Sequence, residues 1–327
     1  MNRLEAVLER FRGKRIVVFG DLVADVFVYG EISRISREAP VLILKHKETQ
    51  IVPGGGANAI NNLASLGAKP IPVGIVGEDA EGQELLKYFS NLGIDIGGIR
   101  VSKSYRTPTK MRVLAGAVHS QRQQIVRLDS GGPGQNEKTP PGLEQKLKSA
   151  LNNAEALLVS DYGYGLVTPH IVSKIRRKGL PSTIDSRFAL QTFSGMTAAT
   201  PNEPEVEAAL GIAIGNDAKK LETAGRTLLR KLKHEALLIT RGKDGMALFE
   251  PGRKTVHIAV HGTDEIADVT GAGDTVIAAF TLALAADASF EEAARLANYA
   301  GGIVVMKYGT RPVTHKELKQ AVMEHAS

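Results

Sequence analysis

Apolar residues in this chain follow two different spacings. The run RIVVF at residues 15–19 is short, apolar and β-branched and stops at Gly20-Asp21, as a buried strand ends in a loop. Runs of the same kind recur at 71–76, 156–160, 182–185 and 236–240. Between most of them apolar positions return every three or four residues, which predicts helices over 57–66, 81–92, 142–152, 169–177 and 218–232. Two helices rich in small residues follow at about 273–286 and 290–307, with a polar one after Pro312. Strands alternating with helices imply right-handed crossovers and a mostly parallel sheet covered on both faces.

Two stretches, 26–51 and 96–129, break that rhythm. There side-chain character alternates with a period near two, as in TKMRVL and QQIVRLD, which predicts antiparallel strands with one solvated face. The expected organisation is an α/β core from 1–25, 52–95 and 130–327, with a small β-sheet lid inserted twice. Neither an internal repeat nor a low-complexity tract is visible.

Composition narrows the classes. With 327 residues, 43% hydrophobic and 23% charged, the chain can bury a large core and is not a disordered one. It has no cysteine, which excludes disulfides, thiolate metal sites and cysteine nucleophiles and fits a reducing, cytoplasmic setting. The opening MNRLEAVLERF reads as an amphipathic helix of mixed charge and not as a secretory signal, and no apolar run reaches the roughly 18 residues of a membrane span. The net charge of +6 would admit a nucleic acid, an acidic membrane surface or an anionic metabolite. Its placement decides. The inserted stretches carry Arg34, Arg37, Lys45, Lys47, Arg100, Lys103, Arg106, Lys110, Arg112, Arg122 and Arg127 against Glu31, Glu38, Glu48 and Asp129. A solvated strand face accounts for part of that excess. Aromatics for base stacking are sparse among these cations, so an anionic small molecule is expected and a nucleic acid or membrane partner is not.

The sharpest chemical signal is DVTGAGD at 268–274, followed at once by an apolar helix. Small residues at a helix entrance leave backbone N–H groups open toward an anion, and the helix dipole adds positive potential. Asp274 then stands beside a bound anion, which suits a base that removes a proton from a hydroxyl about to attack phosphorus. The plainer alternative is a tight turn with a helix-favouring carboxylate. Gly54-Gly55-Gly56-Ala57-Asn58 opens another helix but lacks the spacing of a dinucleotide loop; it suits a hinge between lid and core, with Asn58 either reaching a sugar hydroxyl or only capping. Asn202-Glu203-Pro204-Glu205 is a capping-box pattern that also offers hard oxygens to a magnesium ion that keeps its waters. Asp21 and Asp25 lie at the carboxyl edge of the first strand, and Thr240-Arg241-Gly242 ends a later strand at the same edge, where open α/β sheets bind ligands. The eight histidines show no metal spacing, and no nucleophile elbow is present.

Taken together, GGGAN near 54, NEPE at 202, TRG at 240 and DVTGAGD at 268 resemble, in order and spacing, the ribokinase-like or PfkB carbohydrate kinase family over essentially the whole chain. RISREAPV at 34–41, GGGANAINNLASLGA, TKMR at 109–112 and QQIVRLD at 123–129 resemble in particular its members that phosphorylate D-glycero-D-manno-heptose 7-phosphate at the anomeric hydroxyl, toward ADP-heptose and the lipopolysaccharide core. Some such members are fused to an adenylyltransferase, a second domain not expected here. The resemblance implies a three-layer ribokinase-like α/β fold, ATP as co-substrate and Mg²⁺ as cofactor. It implies Asp274 as base and the amides of Gly271, Ala272 and Gly273 as the anion hole. Asn202 and Glu205 would organise the metal's waters; Asp21, Asp25, Gly54, Gly55 and Asn58 would hold the sugar. Asn202, Thr240, Arg241, Gly242, Asp268 and Asn298 would line the nucleotide pocket. The lid would close over the sugar and join two copies of the chain, and Lys110 and Arg112, with Arg34 or Arg37 from the other segment, would meet the substrate phosphate. Two features depart from the pattern: Asp185-Ser-Arg187 stands where Asp-Pro-Lys is usual, and residues 115–121 form a longer lid turn. Another sugar or sugar phosphate, such as fructose 1-phosphate, tagatose 6-phosphate or ribose, and a catalytically silent binding protein on the same fold remain the alternatives.

Overall fold

The computed structural model describes residues 3–116, 123–133, 141–262, 268–307 and 309–324. The chain runs through α1 (Arg3–Glu9), β1 (Arg15–Gly20), β2 (Leu22–Ile35), β3 (Leu42–Gly55), α2 (Gly56–Ser65), β4 (Lys69–Gly77) and α3 (Ala80–Asn91). It continues through β5 (Ile99–Ser102), β6 (Tyr105–Gly116), β7 (Gln123–Pro133), α4 (Leu143–Leu151), β8 (Ala156–Asp161), α5 (Pro169–Ile175), β9 (Ser182–Ser186) and β10 (Ala198–Ala199). The last third holds α6 (Glu203–Leu210), α7 (Ala218–Leu232), β11 (Ala236–Thr240), β12 (Met246–Phe249), β13 (Val256–Ile258), α8 (Ala272–Ala285), α9 (Phe290–Val305) and α10 (His315–Glu324).

Among the described residues the large sheet has the order β13-β12-β11-β10-β9-β8-β1-β4-β5, parallel from β11 to β5 and closed at the other edge by antiparallel β12 and β13. Alternate residues of one strand feed opposite cores: Ile16 and Val18 pack with α1, α2, α3, α8, α9 and α10, whereas Val17 and Phe19 pack with α4, α5, α6 and α7. Burial on both faces is why these strands read as unbroken apolar runs. Helix α8 is buried at every position from Asp274 to Ala285. It lies against α2 and α9, whose facing positions include Ala293, Ala294, Ala297 and Ala300, small enough for close helix approach.

The second sheet has the order β3-β2-β6-β7. β2 and β3 are antiparallel, as are β6 and β7, but the central β2–β6 pair is parallel, so the expected all-antiparallel lid is corrected at its middle. Ile99–Ser102 also differs from the expectation: it pairs in parallel with β4 at the edge of the large sheet, and its exposed edge gives it the same alternation as a lid strand. The β12–β13 hairpin and the two-residue β10 are too short to leave a periodic signature. β2 begins inside the core and runs 14 residues outward; Leu22 to Phe27 are buried and Ile32 to Ile35 exposed. Residues 117–121 of the long lid turn, and Arg122, lie outside the described residues.

Candidate active site

The carboxyl ends of β1, β8 and β9 and the first turns of α2 and α8 converge on one edge of the large sheet. At the start of α8, Gly271 takes a left-handed φ of 78°, and a Cβ there would stand 2.5 Å from the Asn58 amide nitrogen. Only glycine meets both demands. Among the described residues no backbone carbonyl outside the helix takes its N–H or that of Gly273, and both stand at the positive end of the helix. Ala272 differs from the expected three-amide hole, because its N–H donates to the Val269 carbonyl at 3.3 Å. Asp268 closes the approach to the helix by accepting from Thr270 N (2.9 Å) and Gly309 N (3.2 Å).

Asp274 is 3% exposed. Asn58 Nδ2 donates to its Oδ2 at 3.0 Å, and the Tyr162 hydroxyl donates to its Oδ1 at 2.8 Å. Burial pushes its carboxyl up to about 6, against the pull of Asn58, Tyr162 and the Lys110 charge. It is therefore ionised at neutral pH yet basic enough to take a proton from an alcohol. The Tyr162 phenol is pushed well above its ordinary value by burial and the neighbouring carboxylates, so it remains a donor.

Behind this pair lie two buried aspartates with different roles. Asp25 Oδ1 accepts from Arg112 Nη1 at 2.7 Å, both side chains being almost wholly covered, and its Oδ2 meets the Thr310 hydroxyl at 3.3 Å. A Cβ at Gly54 would lie 2.6 Å from that Oδ2, so glycine is needed to let the carboxylate in, while Gly55 turns the chain at φ 53° beneath the Tyr162 ring. Asp21 is fully buried, and its Oδ2 accepts the N–H groups of Tyr162 (2.8 Å) and Tyr164 (3.2 Å). It braces that loop through Oδ2, its buried Oδ1 has no hydrogen-bond partner among the described residues, and burial pushes its carboxyl up to about 7. Lys110 lies two residues from Arg112 on the same face of β6, its Nζ 4.1 Å from the Tyr162 ring centroid.

On the nucleotide side the capping box is fully formed: Asn202 Oδ1 accepts from Glu205 N (2.8 Å) and Glu205 Oε2 accepts from Asn202 N (2.9 Å). Burial, then the charges of Glu205, Asp274 and Asp161, drive the Asp185 carboxyl well up, and burial raises Glu205 as well. Two buried carboxyls, one raised by the charge of the other, could serve as a hard-oxygen pair for a divalent cation. No group of three or more His, Asp or Glu side chains placed to hold a metal is found among the described residues. Thr240 bridges to Asn202, Arg241 is tied to Glu203 at 2.9 Å, and Gly242 follows in the turn. Asn298 donates to the Ala259 carbonyl at 2.8 Å, which places it beside β13.

Arg34 and Arg37 are not brought to this site within one chain. Arg34 is exposed nine residues beyond Asp25 on the same strand, about 30 Å at 3.3 Å per residue. Alternation tells which face a strand residue takes and says nothing of its distance from the site. The residue that sequence reasoning missed is Tyr162. An aromatic one step past a buried strand reads as core, and the signal available was its position at the carboxyl edge of β8.

A family model described as pfkB family carbohydrate kinase matches residues 14–317. A bifunctional protein HldE from Coxiella burnetii is 39% identical over 316 residues, covering 94% of this chain and 63% of that protein. One from Geobacter sulfurreducens is 40% identical over 311 residues, covering 92% and 61%. The chain thus spans less than two thirds of these curated relatives. Among solved structures, phosphofructokinase-2 from Escherichia coli in complex with potassium superposes with a TM-score of 0.77 at 18% identity, covering 96% of this chain and all of that one. Arabidopsis thaliana ribokinase complexed with ribose and ATP gives 0.74 at 22%, covering 95% and 99%. At these identities the structural likenesses speak for the fold, a ribokinase-like one.

The state of Asp21 has a consequence for stability. Its folded pKa, about 7, lies above the ordinary 3.8. The native chain therefore holds a proton that the unfolded chain releases, so Asp21's contribution is complete below about pH 4 and is lost as pH rises to 7, of the order of 4 kcal/mol. Asp21→Asn keeps an acceptor for both N–H groups and never ionises. Its Tm relative to wild type should climb between pH 4 and 7 and then level off; parallel Tm curves across that range would show that Asp21 is not held protonated.

Proposed function

The chain belongs to the pfkB family of carbohydrate kinases, and on that footing we propose that it transfers the γ-phosphoryl group of ATP to the anomeric hydroxyl of D-glycero-D-manno-heptose 7-phosphate. The observation that carries the reading is Asp274, buried at the first turn of α8 between two neutral donors and beside the Gly271 and Gly273 amides at the helix start. In this reading Asp274 accepts the hydroxyl proton as the sugar oxygen forms its bond to phosphorus and the bond to the ADP oxygen breaks. The N–H groups of Gly271 and Gly273 receive charge on the equatorial oxygens of the moving phosphoryl group. Asn58 and Asp25, steadied by Arg112 and admitted by Gly54, orient the sugar hydroxyls. Asn202, Thr240, Gly242 and Asn298 border the nucleotide.

Glu205 and Asp185 would hold Mg²⁺, which supplies charge neutralisation for the β- and γ-phosphates when bound. Support for a phosphorylated acceptor comes from Lys110 and Arg112, two nearly buried cations on one face of β6, and from the 39–40% identity to the HldE proteins. A sugar phosphate brings nearly two negative charges to them. The lid also exposes Ile35, Val41, Leu42, Ile125, Val126 and Leu128, an apolar surface that a second copy docked lid to lid would cover.

A panel of sugars and sugar phosphates with ATP and Mg²⁺ tests the reading. Heptose 7-phosphate should give the highest kcat/KM, Glu205→Gln should need more Mg²⁺ for half-maximal rate, and Asp274→Asn should lose about 10² to 10⁴ in kcat with ATP affinity nearly intact. Retention of half the turnover by Asp274→Asn would remove it as base, and a higher kcat/KM for ribose or fructose 1-phosphate would reassign the substrate.

Lys110→Met should raise KM for the phosphorylated sugar about tenfold, leave KM for ATP little changed and narrow the preference over the unphosphorylated sugar, because one charge-assisted bond contributes about 1.5 to 3 kcal/mol. An unaltered preference would place the phosphate elsewhere. Sedimentation should show a dimer that Ile35→Asp with Leu128→Asp dissociates; a monomeric wild type would end the lid-to-lid arrangement.

A further inference from the structure

Tyr162 is held from two sides and is only partly open to solvent. Its backbone N–H donates to Asp21 Oδ2 at 2.8 Å, and the same oxygen takes the Tyr164 N–H at 3.2 Å. Asp21 in turn is bound through its own N–H to the Ser160 carbonyl at 3.0 Å. The ring lies under Lys110, and a Cβ at Gly55 would come within 3.1 Å of it, so the phenol has one place to be. From there its hydroxyl reaches Asp274 Oδ1 at 2.8 Å, while Asn58, itself fixed by Asn62 Nδ2 at 3.1 Å, takes Oδ2. Each oxygen of the carboxylate thus has one neutral donor. A cation in either place would hold the carboxylate as firmly but weaken it as a base; a neutral donor fixes it and leaves most of its basicity.

We propose that Tyr162 is a positioning residue of the reaction, whose hydroxyl fixes the plane of the Asp274 carboxylate so that a free lone pair meets the acceptor hydroxyl. The proposal rests on the reading of Asp274 as base and deepens it. The groups facing Asp274 among the described residues are Asn58 from α2, Tyr162 from the loop after β8, Lys110 from β6, Asp25 from β2 and Asp185 from β9. Of these only Tyr162 and Asn58 bond it directly, and Tyr162 donates to the carboxylate through its hydroxyl alone. Removing that hydroxyl withdraws a donor to the charged form, so Asp274 should hold its proton to higher pH. At neutral pH less of the enzyme is then competent, and raising the pH restores part of the loss.

The test is the pH dependence of kcat and kcat/KM between pH 5 and 9, with heptose 7-phosphate and ATP·Mg²⁺, for wild type, Tyr162→Phe and Asp274→Asn. Tyr162→Phe should keep its Tm and its KM for ATP and move the acid limb up by about one pH unit, so that kcat falls about tenfold at pH 5, below both limbs, and only about twofold at pH 7. The substrate phosphate titrates in the same range but identically for every variant, so the displacement between variants is the readout. Should Tyr162→Phe fold poorly, 3-fluorotyrosine placed at 162 gives a stronger donor of nearly the same shape and should move the acid limb down. A merely structural tyrosine would move neither limb. Wild-type kcat and pH profile in Tyr162→Phe, with Asp274→Asn inactive, overturns the positioning role alone. An active Asp274→Asn overturns the base and the positioning role together.

Discussion

The site is organised around one electrostatic constraint, a carboxylate kept charged at the mouth of a helix that is buried from that carboxylate to its end. From Thr275 to Ala285 every residue of α8 is buried, so the sheet and helices α2 and α9 fix where its first turn must end. Asp274 enters the protein with it. A lone buried carboxylate would cost several kcal/mol or simply take up a proton. Here the dipole of α8, two neutral donors and a nearby lysine hold its pKa near 6. The donors come from distant parts of the chain, Asn58 from α2 and Tyr162 from the end of β8, and each has its own anchor in Asn62 or Asp21. Buried polar networks of this kind act as a unit, since a break anywhere strands a charge.

The same logic ties the lid to the core. β2 leaves the large sheet at Asp21, carries Asp25 three residues into its span and only then runs outward, and β6 brings Lys110 and Arg112 alongside it in parallel. The Asp25–Arg112 pair therefore lies at the root of the lid, where solvent does not screen it, and not at its tip. A buried pair is weak evidence of net stability. As a constraint on geometry it is strong, because the root of the second sheet holds its charged residues beside the Asp274 carboxylate. The polar residues proposed to meet the sugar are in this way placed by core packing, and not by the outer strands.

Much of this was legible in the chain. The parallel strands announced themselves because both faces are buried, and helix ends fell within a residue or two where Asp79, Asp217 and Ser289 cap them. Lid strands were visible through their period of two, though the parallel β2–β6 pairing was not, since strand direction follows from connections that alternation does not encode. In the site, DVTGAGD stood out because glycines beside a carboxylate are costly to keep without a use. NEPE carried both its meanings at once, and the structure makes the capping box without spending the second Glu205 oxygen on it. Tyr162 was hidden because its contact depends on a partner 112 residues away and nothing local to it distinguishes it from core. Asp185 stood out in its triplet but without a role, since its state depends on charges gathered from separate strands.

The positive excess shows how composition can point to the right chemistry through the wrong residues. Most of the eleven lid cations that suggested an anionic ligand are exposed, and several are neutralised on the lid itself, as Lys47 is by Glu31 and Arg127 by Asp129. Exposed charges of this sort are screened within about 10 Å and contribute little to holding a ligand. Lys110 and Arg112 are different because folding has already removed them from water, Arg112 while paired with Asp25 and Lys110 so far that burial lowers its pKa. A cation in that state gains more from an arriving phosphate than an exposed one does, since its desolvation is complete before the ligand comes. On the proposed reading, affinity for an anion would rest on these two buried side chains, and the outer field of the lid would serve approach, as a long-range charge does in steering any ligand toward its site.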